Sequence, residues 1–199
     1  MKKTIVMASL VAASTSMMAM DLQYFLGAGA TRVNADYKGT IAVPSVGYSE
    51  SFSDDMSDTG LTLKTGVILD KSHRISLSYS KFSGEDTDVK VILGNYDYLI
   101  PINNDFRLYA GVHAGNAEYK GTNTGLADNN EVKMSGLAYG AQVGAIYDIT
   151  KNIEFELGLA YTKYNVDKSF TGTESGVNYN AKIELEDSTS MSAGINYKF

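Results

Sequence analysis

Eight stretches of the chain alternate between apolar and polar residues with a period of two, the pattern of strands that have one oily face and one wet face. The sixth is the cleanest: Leu137, Tyr139, Ala141, Val143, Ala145, Tyr147 and Ile149 share one face. Gly136, Ala138, Gly140, Gln142, Gly144 and Asp148 share the other. Residues 189–199 repeat it, with Tyr197, Ile195, Ala193 and Met191 against Lys198, Asn196, Gly194 and Ser192. The first stretch, 22–35, sets Tyr24, Leu26 and Ala28 against Gln23, Gly27 and Gly29. Phe25 is a large side chain on its polar face and is expected to fill space at one end of an interior.

The second, third, fifth and seventh stretches follow suit. Leu61, Leu63 and Val67 oppose Gly60, Lys64 and Gly66, and Ile75, Leu77 and Tyr79 oppose Arg74, Ser76 and Ser78. Leu108, Ala110 and Val112 oppose Arg107, Tyr109 and His113, and Phe155, Leu157 and Leu159 oppose Glu154, Glu156 and Gly158. The fourth, 87–99, changes parity: Val89, Val91 and Leu93 imply one facing, and Tyr96 and Tyr98 the other. Because a slip of one residue exchanges the faces, either the tyrosines face outward or a bulge near Gly94 resets the count. The outward placement of Tyr96 and Tyr98 is the preferred reading.

Between these stretches, tight turns at Asp70-Lys71-Ser72, at 101–105 and at Thr150-Lys151-Asn152 alternate with mostly longer polar segments at 36–57, 83–86, 116–133 and 164–181, which read as loops. An even strand number, with short turns on one side and longer loops on the other, is the layout of a membrane barrel. A soluble barrel would turn its apolar face inward. Here the enclosed face would be Gly, Ser, Thr, Lys, Arg, Glu and Gln, which cannot form a dry core. The expected fold is therefore all-β: an eight-stranded antiparallel up-and-down transmembrane β-barrel, with both termini on the short-turn side.

Composition narrows the setting. Lys2 and Lys3, the apolar run from Ile5 to Ala13 and the small residues up to Ala19 read as a secretory signal peptide over 1–19, leaving 20–199 as one barrel domain. That apolar run is too short to span a bilayer. The chain has no cysteine, so neither disulfides nor thiol chemistry apply. A net charge of -6 with no basic block argues against a nucleic-acid partner.

The signal peptide, the eight alternating segments, the tight turns and the Tyr197-x-Phe199 terminus together resemble the small outer-membrane barrel family that includes OmpX, the opacity proteins and the N-terminal barrel of OmpA. The resemblance implies residence in the outer membrane and short turns in the periplasm. It also implies Tyr197 and Phe199 as the signal read by the outer-membrane assembly machinery. By the same analogy the protein supports the membrane and meets surface ligands or host proteins through its loops, as a monomer among outer-membrane lipid and lipopolysaccharide. The chain carries nothing matching the peptidoglycan-binding domain of OmpA, so a tethering role is not implied.

Lys64, Arg74, Arg107, His113, Gln142, Asp148, Glu154 and Glu156 all fall on inward parity, where enclosed charges must be paired or wet. They read as a structural polar network plugging the lumen. The competing reading is a narrow channel for ions or small solutes. Catalysis is the remotest alternative: barrel deacylases set a His and a Ser two apart on one face, which neither His113 nor His73 does, and no His sits near the outer rim for a palmitoyltransferase. Neither cofactor nor metal is expected, because Glu50, Asp54, Asp55 and Asp58 lack the spacing of a calcium loop.

Overall fold

Each strand pairs antiparallel with its sequence neighbours, and the last pairs back onto the first, so the sheet closes with no free edge. The order is β1 (Leu22–Val43), β2 (Tyr48–Leu69), β3 (His73–Ser83), β4 (Thr87–Pro101), β5 (Phe106–Thr122), β6 (Glu131–Asp148), β7 (Ile153–Glu174) and β8 (Val177–Lys198). The computed structural model describes residues 21–84, 87–122, 131–174 and 177–199. The expected signal peptide lies outside them. Among the described residues no helix is long and apolar enough to cross a membrane. Any crossing falls to the strands.

The cross-strand partners run from Leu26 through Thr65, Leu77, Gly94, Ala114, Tyr139, Lys163 and Asp187 and arrive at Asp36, so the ring closes ten residues along β1 from its start. At about 3.3 Å per residue and about 4.8 Å between strands, that stagger tilts the strands by about 40° and sets the backbone radius near 8 Å, roughly. Such an interior has room for side chains and little else.

The alternation resolves as its parity requires. Leu137, Val143, Leu157 and Ile195 lie on the exposed exterior, while Asn196 and Glu156 are buried inside. Tyr24, Tyr147, Tyr197 and Phe199 form an aromatic girdle near the turn end, and Tyr79, Tyr139 and Tyr161 lie toward the opposite end. His73, beside the first turn, belongs to the lower girdle: its Nδ1 lies 2.8 Å from the Tyr96 hydroxyl, and its ring packs edge-on to Tyr98 at 5.4 Å.

In β4 the tyrosines do face outward, and no bulge is needed. Pairing runs unbroken from Thr87 to Pro101, so Val89, Val91 and Leu93 point inward along with Asn95 and Asp97.

Two expectations need correction. Segment 36–57 is not a loop: β1 continues to Val43 and β2 begins at Tyr48, joined by a 3-10 turn at Pro44–Val46 with Gly47 at φ 67. Segments 116–133 and 164–181 likewise contain extensions of β5, β6, β7 and β8. Outside lipid, hydroxyl and carboxylate pairs replace apolar alternation, as in Thr40–Ser51 and Tyr37–Asp54, both at 3.1 Å. Strands of 22 residues exceed what crosses a bilayer, about 9 to 11. The surplus stands beyond it.

The second correction concerns the interior, which is polar only in its lower part. Val33, Phe82, Val91, Ala117, Met134 and Val166 form an apolar cluster in the half away from the turns. A bulge at Glu186 helps to build it. Asp187 pairs with Asp36, Leu185 pairs with Tyr37, and the skipped residue exchanges the faces of β8, turning Leu185 and Ile183 inward.

Candidate functional site

Ionic layers fill the lower lumen. Nearest the turns, Arg107 on β5 donates to Asp148 on β6 at 3.0 and 3.2 Å and to Glu154 on β7 at 2.7 Å. Lys198 on β8 bonds to the same Asp148 and lies 3.5 Å from Glu154. Inward alternation on four consecutive strands brings these side chains to one level.

The next layer centres on Arg74, which has no exposed surface. Its Nε donates to Asp97 Oδ2 at 2.9 Å, and its two terminal nitrogens donate to the Glu156 oxygens at 2.8 and 3.0 Å. That bidentate match is specific to a planar guanidinium. The Tyr109 ring lies 4.6 Å from its carbon and the Phe25 ring 5.8 Å, so the cation is held between aromatic faces. Phe25, Ile68, Leu99, Tyr109 and Ile146 pack together beside it, which is the space-filling part expected of Phe25.

Every remaining acceptor of the layer is used. Lys64 donates to Glu156 at 2.8 Å, Asn196 bridges Glu154 at 3.0 Å and Glu156 at 2.8 Å, and Gln142 donates to Asp97 at 2.5 Å. Among the described residues of these layers, Lys64, Arg74, Arg107 and Lys198 balance Asp97, Asp148, Glu154 and Glu156. The net charge of the ionic filling is zero.

Close packing needs gaps in the wall. A Cβ on Gly111 would lie 2.2 Å from Asp97 Oδ1, and one on Gly144 would lie 2.4 Å from the Tyr109 ring. Only glycine leaves room for those side chains at these two places.

Of the residues singled out from sequence, Lys64, Arg74, Arg107, Gln142, Asp148, Glu154 and Glu156 share this network. His113 meets it at its upper edge through Gln142, and its Nε2 sits 3.0 Å from the Thr162 hydroxyl, where a hydroxyl-rich zone begins in which Thr31, Thr62 and Ser80 are linked at 2.7 and 2.8 Å. Asp97, Asn196 and Lys198 were not singled out. Asn196 and Lys198 already lay on the polar parity of the last strand, whereas the parity change in β4 obscured Asp97. Tyr197 and Phe199 face outward and stack at 6.3 Å, with Tyr24 6.4 Å from Phe199. Among the described residues no group of acidic or histidine side chains is placed to hold a metal ion.

A family model described as "Outer membrane protein beta-barrel domain" matches residues 6–199. A comparison with curated proteins finds no match. Among solved structures, the chain is similar to the outer membrane protein OprG from Pseudomonas aeruginosa, with a TM-score of 0.66 and 15% identity over 89% of this chain and 95% of that one. Neisserial surface protein A is similar with a TM-score of 0.60 and 15% identity over 88% and 97% of the two chains. Ail, the attachment invasion locus protein of Yersinia pestis, solved in complex with the heparin analogue sucrose octasulfate, gives 0.51 and 16% identity over 90% and 99%. At such identities the likeness concerns the fold.

Proposed function

The chain belongs to the outer-membrane protein beta-barrel domain family, and from that premise we propose that it is a monomeric, non-conducting barrel whose lumen is plugged by polar side chains. In this reading its tall outer strands form a surface for contact with ligands or host proteins. The outer membrane is its place, with the short turns and both termini in the periplasm. The carrying observation is the pair of bonds from Arg74 to Glu156, which spans the lumen between β3 and β7 inside a charge-balanced layer. An ion crossing there would have to break several buried, charge-assisted bonds at once.

The exterior supports the rest. Arg32, Lys81, Lys90 and Lys163 face outward just above the apolar belt, and Lys81 pairs directly across from Lys90. Like charges placed so repel, and Asp88, 3.8 Å from Lys81, offsets one of the two. Phosphates of lipopolysaccharide bridging these cations at that height would offset the remainder. The stacked Tyr197 and Phe199 remain exposed for the assembly machinery.

The sulfated ligand of Ail is not carried over. Glu50, Asp54 and Asp55 make the crest of the first hairpin acidic, so a basic partner fits it better. No enzymatic role is supported, because the partners of His113 are the Thr162 hydroxyl and the Gln142 amide rather than an acid that would orient it as a base. The test is planar-bilayer recording on the refolded protein. Silence is expected, and steady reproducible openings would overturn the plug in favour of a narrow channel.

A further inference from the structure

Above the apolar cluster the interior does not fill. A cavity of about 300 Å³ remains between the extended strands, with Tyr37, Met56, Tyr119, Met134, Ile183 and Leu185 on its walls. A smaller recess shares Met56, Tyr119 and Leu185 with it and descends to Phe82, Val89 and Val91. The packed cluster around Ala117, Ala138 and Val166 closes it from below. The pocket is therefore blind toward the plug.

Three features argue for a ligand rather than a packing fault. The volume is about twice the roughly 150 Å³ apolar void that accepts a benzene, and it lies at the lower edge of ordinary ligand pockets, about 300 to 1,000 Å³. The stretch lies outside the lipid-facing belt, which ends on β1 at Arg32, so an apolar lining there solves no membrane problem. The bulge at Glu186 turns Leu185 and Ile183 inward, whereas unbroken alternation would send them outward.

From this cavity we infer a binding site for a small uncharged apolar or aromatic molecule, of about the size of a two-ring hydrocarbon. Methionines and tyrosines suit such a guest, since both adapt to flat, polarisable surfaces. Asp58 lines the recess, and Asp55 and Glu184 join the apolar residues around the cavity, so the carboxylates disfavour an anion. A fatty-acid-like carboxylate is therefore the wrong chemistry. This site is separate from the plug and does not depend on whether the lumen conducts.

The methionines provide the assay. Met56 and Met134 line the cavity, whereas Met191 faces lipid on the exterior and reports plain partitioning. Full-length refolded protein with carbon-13 methionine methyls, in lipid nanodiscs, is titrated with 1-naphthol and separately with 1-naphthoate. Saturable shifts of Met56 and Met134 with 1-naphthol, with Met191 unmoved and at least tenfold weaker binding of 1-naphthoate, are expected. Leu185→Lys and Val89→Phe, one charging the cavity and the other filling its recess, should each weaken 1-naphthol binding at least tenfold. Non-saturating shifts of all three methyls would overturn the site, and equal binding of 1-naphthoate would overturn its preference for an uncharged guest. If Leu185→Lys fails to fold, as judged by heat-modifiable migration, Val89→Phe decides alone.

Discussion

Arg74 on β3 and Glu156 on β7 are joined by two parallel bonds, at 2.8 and 3.0 Å, although three strands separate them one way around the ring and three the other. The pair fastens opposite walls of the barrel. It is also shared: Arg74 holds Asp97, and Glu156 holds Lys64 and Asn196.

Removing one partner strands a buried charge, so Arg74→Met and Glu156→Gln should each cost about 3–5 kcal/mol. The double variant should recover part of that loss and not all of it, because Asp97 and Lys64 keep their charges. A coupling of about 0.5–3 kcal/mol is expected. Urea unfolding of the refolded variants in lipid vesicles measures it, and strict additivity would show that the two residues do not act as a unit.

Most of the barrel was legible because lipid imposes a strict period of two on every crossing strand. Strand number, outward faces and turn positions all followed from that one constraint. Where the constraint ends, legibility ended too. Residues 36–43 and 48–57 look like loop because Ser, Thr, Asp and Tyr there pair across strands without an apolar face to mark them. The inward facing of Leu185 and Ile183 was hidden by one unpaired residue, Glu186, which no pattern of hydrophobicity announces. The lower lumen was readable as a set of enclosed charges. Its partners were not, since cross-lumen contact depends on the stagger of the whole ring.

The first turn is a site of stored strain. Asp70 and Lys71 adopt φ of 48° and 62°, and Ser72 N–H donates to Leu69 O at 3.1 Å, the two-residue hairpin turn that normally carries Gly second. Lys71→Gly removes a left-handed residue costing about 1–2 kcal/mol and offsets part of the gain with chain entropy. A net stabilisation of about 0.5–1 kcal/mol is expected in the same urea assay, and a loss would contradict the turn geometry.

The lipid-facing assignment predicts a dependence on depth. Val143 lies mid-strand on the exterior of β6, while Tyr161 sits at the far edge of the belt with its hydroxyl donating to Asp187 at 2.9 Å. Val143→Arg should cost about 2–4 kcal/mol and Tyr161→Arg only about 0–1 kcal/mol from lipid alone. Equal costs, read from unfolding in vesicles, would mean that the belt is misplaced.

At the far end of β3, the Ser83 hydroxyl donates to Asp88 at 2.7 Å and holds its carboxyl below the ordinary value, with Lys81 nearby adding to the effect. A depressed carboxylate contributes stability above its unfolded value of about 3.9, and that contribution is lost as pH falls through the folded value. Ser83→Ala should move the Asp88 titration upward toward 3.9, roughly, as followed by carboxyl-carbon NMR. An unmoved titration would exclude the hydroxyl as the main cause.

The bulge makes a prediction about facing that can be read on intact cells. Deleting Glu186 removes the skipped residue, so Asp187 and Leu185 become consecutive opposite Asp36 and Tyr37; Ser188 to Lys198 stay inward on even positions, and Leu185 and Ile183 keep facing inward. The lipid-facing residues below are untouched, so the barrel should still form and still migrate differently before and after boiling. A cysteine placed at Leu185 in this cysteine-free chain should therefore react slowly with a membrane-impermeant maleimide both when Glu186 is present and when it is deleted. A cysteine at Asp187, which faces outward opposite Asp36 and Lys163, should react at similar rates in both backgrounds. If the Leu185 site labels as fast as the Asp187 site with the bulge intact, Leu185 does not line an enclosed space, and the pocket above the plug loses one of its walls.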